Sequence, residues 1–294
     1  MIMPSIKRRT LLAGGAAGLA ALALQAKPSS KLKFGLTSYQ WGSDWDIPTM
    51  IANCTRAKAF GVELRTSAKY KHGVELNLDA AARTEVKRQF AESPVKLVGI
   101  NSAERFDWPD SAALKTAIEN AKAHAKLAHD TGATGIRVFP NQFQKGVPEA
   151  RTLEQIARSV NEVGKYAADL GQMVRLENHG PVGTLVNLKT IMSMVDQKNV
   201  RIKLNGDVRD NEGGKFAENF AGIKDKLGDT LHMRWLDGSQ FPYQLQWDLL
   251  TAMDWDGWCF VEESVKVPDR VQALIGVRET WEKMIANSLS RIQP

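Results

Sequence analysis

The chain has 294 residues, 43% of them hydrophobic and 24% charged, with a formal net charge of +6. That is the composition of a globular chain able to bury a full core. Its basic residues form no run interleaved with aromatics, which argues against a nucleic-acid partner. Cys54 and Cys259 are too few for a disulfide framework and are expected as buried thiols, although an oxidising compartment would let them pair.

The first thirty residues are set aside as a leader and short linker. Lys7-Arg8-Arg9, an apolar run from Leu11 to Leu24, and small residues around Ala26 follow the order of a secretory signal. The adjacent arginines ahead of the apolar run point to the twin-arginine route. The run is short and rich in Gly and Ala, too weak to span about 30 Å of hydrocarbon. Export to the periplasm with cleavage near Ala26 is expected, with no stable membrane insertion afterwards. Residues 31–294 then form one domain of about 265 residues, close to the ~250 typical of a single α/β barrel.

Across that domain, short β-rich runs alternate with helical patterns. The strand candidates in chain order are Lys33–Tyr39, Gly61–Arg65, Lys96–Asn101 and Gly135–Phe139, then Met173–His179, Val200–Asp207, Leu231–Asp237 and Gly257–Glu262. Between them, Asp110–Thr131 repeats Ala117, Ala121, Ala125 and Ala128 at helical spacing. Thr152–Leu170 sets Leu153, Ile156, Val160, Val163 and Ala167 on one stripe. Gly61, Gly132, Gly171 and Gly257 stand at helix-to-strand junctions and are expected as helix C-caps. Strands alternating with helices predict parallel βαβ units. The first strand runs into Leu36-Thr37-Ser38-Tyr39-Gln40-Trp41 and has no GxGxxG turn, which disfavours an open nucleotide-binding sheet. The expected fold is therefore α/β, a single closed (β/α)8 barrel.

Functional residues of such barrels lie at the C-terminal strand ends. Strand two offers Glu63 and Arg65, strand five Glu177, Asn178 and His179, and strand six Asn205 and Asp207. Strand seven offers His232, Arg234 and Asp237, and strand eight Glu262 and Glu263. Interior strand positions are otherwise expected to be Val, Ile or Leu. A buried carboxylate costs several kcal/mol unless it is paired or holds a metal. A mixed carboxylate, imidazole and amide set suits one divalent ion of the Mn, Mg, Co or Zn group. Such an ion would hold two substrate oxygens and acidify the carbon-bound proton between them, for a nearby carboxylate to remove. Arg234 shares the phase of His232 and could bind a substrate or pair with Glu262. Glu63 could contact substrate or pair with its neighbours. Trp41 falls near the rim, where an aromatic face suits sugar C–H surfaces. His72, His124 and His129 are expected as solvated loop or helix residues.

From GLTSYQW through GVELR and RLENHG to GWCFVEES, the chain resembles the xylose-isomerase-like superfamily, in particular its sugar phosphate isomerase/epimerase-like members that include ketose 3-epimerases. The resemblance implies a metal held by Glu177, Asn205, His232 and Glu262, with Glu177 and Glu262 as the acid/base pair. From their own places on the strand ends and rim, His179, Arg234, Trp41, Asp207 and Glu63 are the candidate substrate contacts. One departure stands out: strand six of the family usually ends in Asp with a His three residues on, and here the run is Leu204-Asn205-Gly206-Asp207-Val208. Either the Asn205 carbonyl ligates without charge, or Asp207 takes its place.

The expected function is an exported sugar isomerase or epimerase that abstracts a proton next to a carbonyl. Two alternatives stand beside it: a 3-keto-glycoside lyase or hydrolase on the same site, and a non-catalytic sugar-binding barrel that has lost its metal. The expected partner is a small sugar or glycoside, and self-association into a homo-oligomer is left open.

Overall fold

The computed structural model of the chain describes residues 29–292 apart from 68, 238 and 239. The expected leader of residues 1–30 lies outside the described residues apart from 29 and 30. Eight parallel strands close into a barrel in the order β1 to β8. They are β1 Lys33–Thr37, β2 Gly61–Arg65, β3 Lys96–Arg105, β4 Gly135–Phe139, β5 Met173–Glu177, β6 Val200–Asn205, β7 Leu227–Met233 and β8 Trp258–Val261. Eight helices follow them: α1 Ile47–Ala57, α2 Ala80–Ala91, α3 Ser111–Thr131, α4 Glu149–Asp169, α5 Leu185–Ser193, α6 Phe216–Ala221, α7 Tyr243–Ala252 and α8 Arg270–Ile292. Among the described residues no helix is long and apolar enough to cross a membrane.

Local sequence explains the helix ends. Asp46, Asp79 and Asp110 each accept the backbone N–H three residues on, at 2.9, 2.8 and 2.8 Å, satisfying donors that the first turn leaves unpaired. Gly132 caps α3 at φ 83°, as expected of that position. Gly61 and Gly257 do not act as caps. Lys58 (φ 55°) and Asp254 (φ 54°) take the left-handed position there. The glycines are needed for space, because a Cβ on Gly61 would lie 2.4 Å from the Trp258 ring and one on Gly257 2.2 Å from that of Trp255.

The phase of the strands also differs from expectation. Leu36, Val62, Leu64, Ile136, Val174, Ile202, Leu231 and Val261 are buried between sheet and helices. The opposite phase fills the barrel with Glu63, Arg137, Arg175, Lys203, His232 and Phe260, with glycines opposite the largest of them. A Cβ on Gly35 would stand 2.5 Å from Phe260, and one on Gly135 2.7 Å from the Arg175 guanidinium. The interior is therefore charged, and the Val/Ile/Leu phase faces outward. At its N-terminal end Arg175 reaches Asp229 at 2.8 and 3.0 Å.

Both cysteines are free and buried, and burial pushes the Cys54 thiol up to about 12.

Candidate active site

Several expected strand ends are shorter than the sequence suggested. β5 stops at Glu177, β6 at Asn205 and β8 at Val261, so Asn178, His179 and Glu262 begin the loops at the C-terminal rim. A cavity of about 290 Å³ opens there, lined by Tyr39, Gln40, Arg65, Arg137, Phe139, Glu177, His179, Arg234, Glu262 and Ser264.

Its floor is built in two tiers. In the lower tier, Glu63 and Lys203 form a wholly buried ion pair between β2 and β6. Glu63 Oε2 also accepts from Asn101 Nδ2 at 3.0 Å and meets His232 Nε2 at 2.8 Å. Burial alone would raise the Glu63 carboxyl, but the Lys203 charge and the His232 contact hold it well below the usual range. An ionised carboxylate can only accept, so His232 Nε2 carries a proton, and in the neutral ring Nδ1 is the bare nitrogen. Burial and Lys203 work against protonating the imidazole, but the Glu262 and Glu177 charges outweigh them and hold it above its ordinary value.

In the upper tier, His232 Nδ1 faces Glu177 Oε2 at 3.5 Å and Glu262 Oε2 at 3.6 Å. The Asn205 amide bridges the two glutamates, its Nδ2 donating to Glu177 Oε1 at 2.9 Å and Glu262 Oε2 at 3.4 Å. Burial opposes ionisation of Glu177, but the Arg137 and His232 charges keep its carboxyl well below the usual range. Glu177 Oε2, His232 Nδ1 and Asn205 Oδ1 are each buried without a hydrogen-bond partner. One ligand atom from each of Glu177, His232 and Glu262 lies within 4.8 Å of the others. Orphaned buried acceptors are costly, and a carboxylate, imidazole and amide set that converges this way fits one hard or borderline divalent cation.

The other expected site residues fall in different places. His179 and Arg234 line the cavity, with the His179 ring 4.4 Å from that of Phe139. Burial lowers the His179 pKa. Asp207 lies on the loop after β6, bound by Arg209 Nε at 2.9 Å, and is not one of the clustered ligands. Trp41 is buried, its indole N–H donating to the Val265 carbonyl at 2.8 Å and its ring meeting Trp235 edge-on. Glu63 lies beneath His232, not on the cavity wall. Glu263 turns away from the cavity and ties the rim loop by accepting from Trp235 N at 2.6 Å and Ser264 N at 2.8 Å.

Sequence reasoning missed Arg137, Lys203, Phe139 and Tyr39. The signal for the first two was their phase: Arg137 is two residues before Phe139, and Lys203 two before Asn205. His72 and His124 are buried and not solvated; His129 is exposed. His124 sits on the inward stripe of α3 with Ala121, Ala125 and Ala128, and shares a hydrogen bond with Thr66 Oγ1 at 3.0 Å.

The barrel and its rim define a (β/α)8 protein with a carboxylate–histidine centre at the C-terminal strand ends. The chain belongs to the xylose isomerase-like TIM barrel family, whose model matches residues 51–286. No curated protein is matched in sequence. Among solved structures, the chain is similar to 3-keto-D-glucoside 4-epimerase from E. coli (TM-score 0.70, 15% identity, covering 87% of this chain and 100% of that one). It is also similar to an L-ribulose 3-epimerase (TM-score 0.73, 15% identity, 88% and 96% covered). A third is D-psicose 3-epimerase from Clostridium cellulolyticum, solved with D-tagatose (TM-score 0.66, 17% identity, 87% and 95% covered). At these identities the likeness establishes a common fold.

Proposed function

We propose that this chain is a sugar isomerase or epimerase that moves a proton at a carbon next to a carbonyl, with Glu177 and Glu262 as the acid/base pair. The observation that carries this is the convergence of Glu177, Glu262 and His232 beneath a cavity about large enough for one sugar ring. The names of the similar structures, epimerases of sugars and of a 3-keto-glucoside, support the same substrate class.

Glu177, His232 and Glu262, with the Asn205 carbonyl oxygen beside them, would hold one divalent ion of the Mn, Mg, Co or Zn group. Bound there, the ion supplies Lewis-acid polarisation of the substrate carbonyl. The protein's own groups do the proton work. Glu177, kept ionised by Arg137, takes the proton as the C–H bond breaks and its electron pair moves toward the carbonyl oxygen. Glu262, having taken up a proton from solvent, would return it to the opposite face of that carbon, which gives the epimer. His179 and Arg234 on the wall orient hydroxyls.

A ketohexose and a 3-keto-glucoside incubated in D2O should gain deuterium next to the carbonyl. Glu177→Gln and Glu262→Gln should each slow that exchange by about 10²–10⁴-fold. Elemental mass spectrometry should find about one divalent ion per chain, lost in His232→Ala. No exchange and no metal, in folded protein offered each ion, would sink this reading in favour of a non-catalytic sugar-binding barrel.

Elimination from a 3-keto-glycoside is the second reading. It is favoured by the likeness to the 3-keto-glucoside enzyme and by the absence of a His three residues after Asn205. It begins with the same proton abstraction, and the two part at the product, a released aglycone against an epimer. The leader of residues 1–30 supports a periplasmic location, checked by N-terminal sequencing of the mature protein from a periplasmic fraction.

A further inference from the structure

We propose that Arg65 and Arg137 form a carboxylate subsite in the cavity, so that this protein prefers an acidic sugar, a hexuronate-type molecule, over the corresponding neutral one. The inference rests on the sugar-site reading above and narrows its substrate class.

Arg137 is the main observation. It projects inward from β4, is only 3% exposed, and lines the cavity. Its guanidinium makes no hydrogen bond to any described residue, and its buried Nε is without a partner. The one charged contact, to Glu177 Oε2 at 3.3 Å, lacks hydrogen-bond geometry. The guanidinium carbon lies instead over the Phe139 ring, 3.9 Å from its centroid. A buried arginine serving only to balance Glu177 would be expected to make the paired bonds its fork allows. Left as it is, it has donors to offer a ligand.

Arg65, at the end of β2, lines the same cavity and uses one N–H on the Asn101 carbonyl at 3.1 Å. Burial, and then the Arg137 charge, pull its guanidinium down to about 10, so the two cations repel each other across the cavity. With Arg234, the wall holds three guanidinium groups against the two carboxylates Glu177 and Glu262, an excess of one positive charge. A monoanion eases the repulsion and, in the metal-free protein, cancels the excess. Two planar forks suit a planar two-oxygen group. A phosphoryl group would be better served by the N–H cluster of an α-helix N-terminus, and the lining residues come from strand ends, rim loops and one short 3-10 turn at Gln40.

The test is isothermal titration of the full folded chain, metal-free and loaded with Mn²⁺, at fixed ionic strength. The probes are the gluco, galacto and manno hexuronates, their neutral hexoses, and glucose 6-phosphate. At least one uronate should bind about tenfold or more tighter than its hexose in both metal states. Arg65→Gln should narrow that ratio toward one, and Arg137→Lys, which keeps the charge but not the fork, should narrow it in part. Equal or tighter binding of the hexoses overturns the proposal. So does tighter binding of the phosphate, or binding of no probe by folded protein. Failure of the isomerase reading would be seen separately, as a uronate that binds but takes up no solvent deuterium.

Discussion

His232 Nε2 stands 2.8 Å from Glu63 Oε2, and both side chains are wholly buried beneath the cavity. This contact fixes which nitrogen is bare in the neutral ring, and it aims Nδ1 at Glu177 and Glu262. Carboxylate partners of this kind set the tautomer and basicity of metal-binding histidines, and their loss typically costs 10–100-fold in metal affinity. Lys203 in turn holds Glu63 in place.

Glu63→Gln is therefore expected to weaken divalent-ion affinity by about that factor, read by chelator competition. It should also destabilise the fold by about 3–5 kcal/mol, because Lys203 is left buried and unpaired. Glu63→Gln with Lys203→Met should recover most of the stability while leaving metal affinity low. If the double variant regains wild-type affinity as well, the pair's role is structural only.

The barrel was legible because eight short β-rich runs alternate with helical patterns, a signal spread over the whole domain. Glu177 and Glu262 were legible because each closes an apolar run at a C-terminal strand end, and His232 because it opens the run of the seventh strand beside Leu231. Arg137, Arg175 and Lys203 were not, because each lies inside an apolar run whose Val, Ile and Leu residues suggest the inward face. Only closure of the barrel makes clear that the other phase points inside, where glycines at 35 and 135 leave room for Phe260 and Arg175. The Glu63–Lys203 pair joins residues 140 positions apart across the barrel, and no local pattern announces it.

Those glycines give a sharp expectation. A Cβ on Gly35 would lie 2.5 Å from Phe260 and 2.6 Å from the Gly61 carbonyl oxygen, and the backbone atom cannot move aside alone. Gly35→Ala should cost about 1–3 kcal/mol, the range for overpacking a filled interior, read as a lower urea midpoint at unchanged slope. An unchanged midpoint would mean that the barrel interior is looser than its contacts indicate.

Acid sensitivity should begin above the carboxylate range. Burial pulls His72 and His124 down to about 4 from an ordinary 6.5. The unfolded chain then binds more protons than the folded one between pH 6.5 and 4. Their contribution is whole above pH 6.5 and is lost as pH falls through that window, by at most about 3 kcal/mol per residue. His124→Gln should flatten the fall in urea midpoint between pH 6.5 and 4.5 by roughly half. Burial also raises Asp210 to about 6, which opposes the fall in this window, so the decisive quantity is the difference between wild type and His124→Gln. If that difference stays constant from pH 6.5 to 4.5, His124 is not buried as a neutral group.

Asn205 is where the chain departs from the pattern of the family it resembles, and the geometry gives the departure a physical meaning. Its Nδ2 donates to Glu177 and Glu262 together, so it holds two carboxylates that would otherwise repel. Asn205→Asp replaces that donor with a third negative charge. Without a metal the three carboxylates oppose one another, and the apo protein should lose about 1–3 kcal/mol, the cost of an unsatisfied or opposed buried polar group. With a metal the added charge becomes a ligand. The rise in Tm on saturation with Mn²⁺ should then be larger for Asn205→Asp than for wild type, and the ion should bind more tightly. A smaller Mn²⁺ shift in the variant would show that Asn205 serves the site through its amide donor and takes no part in holding the ion.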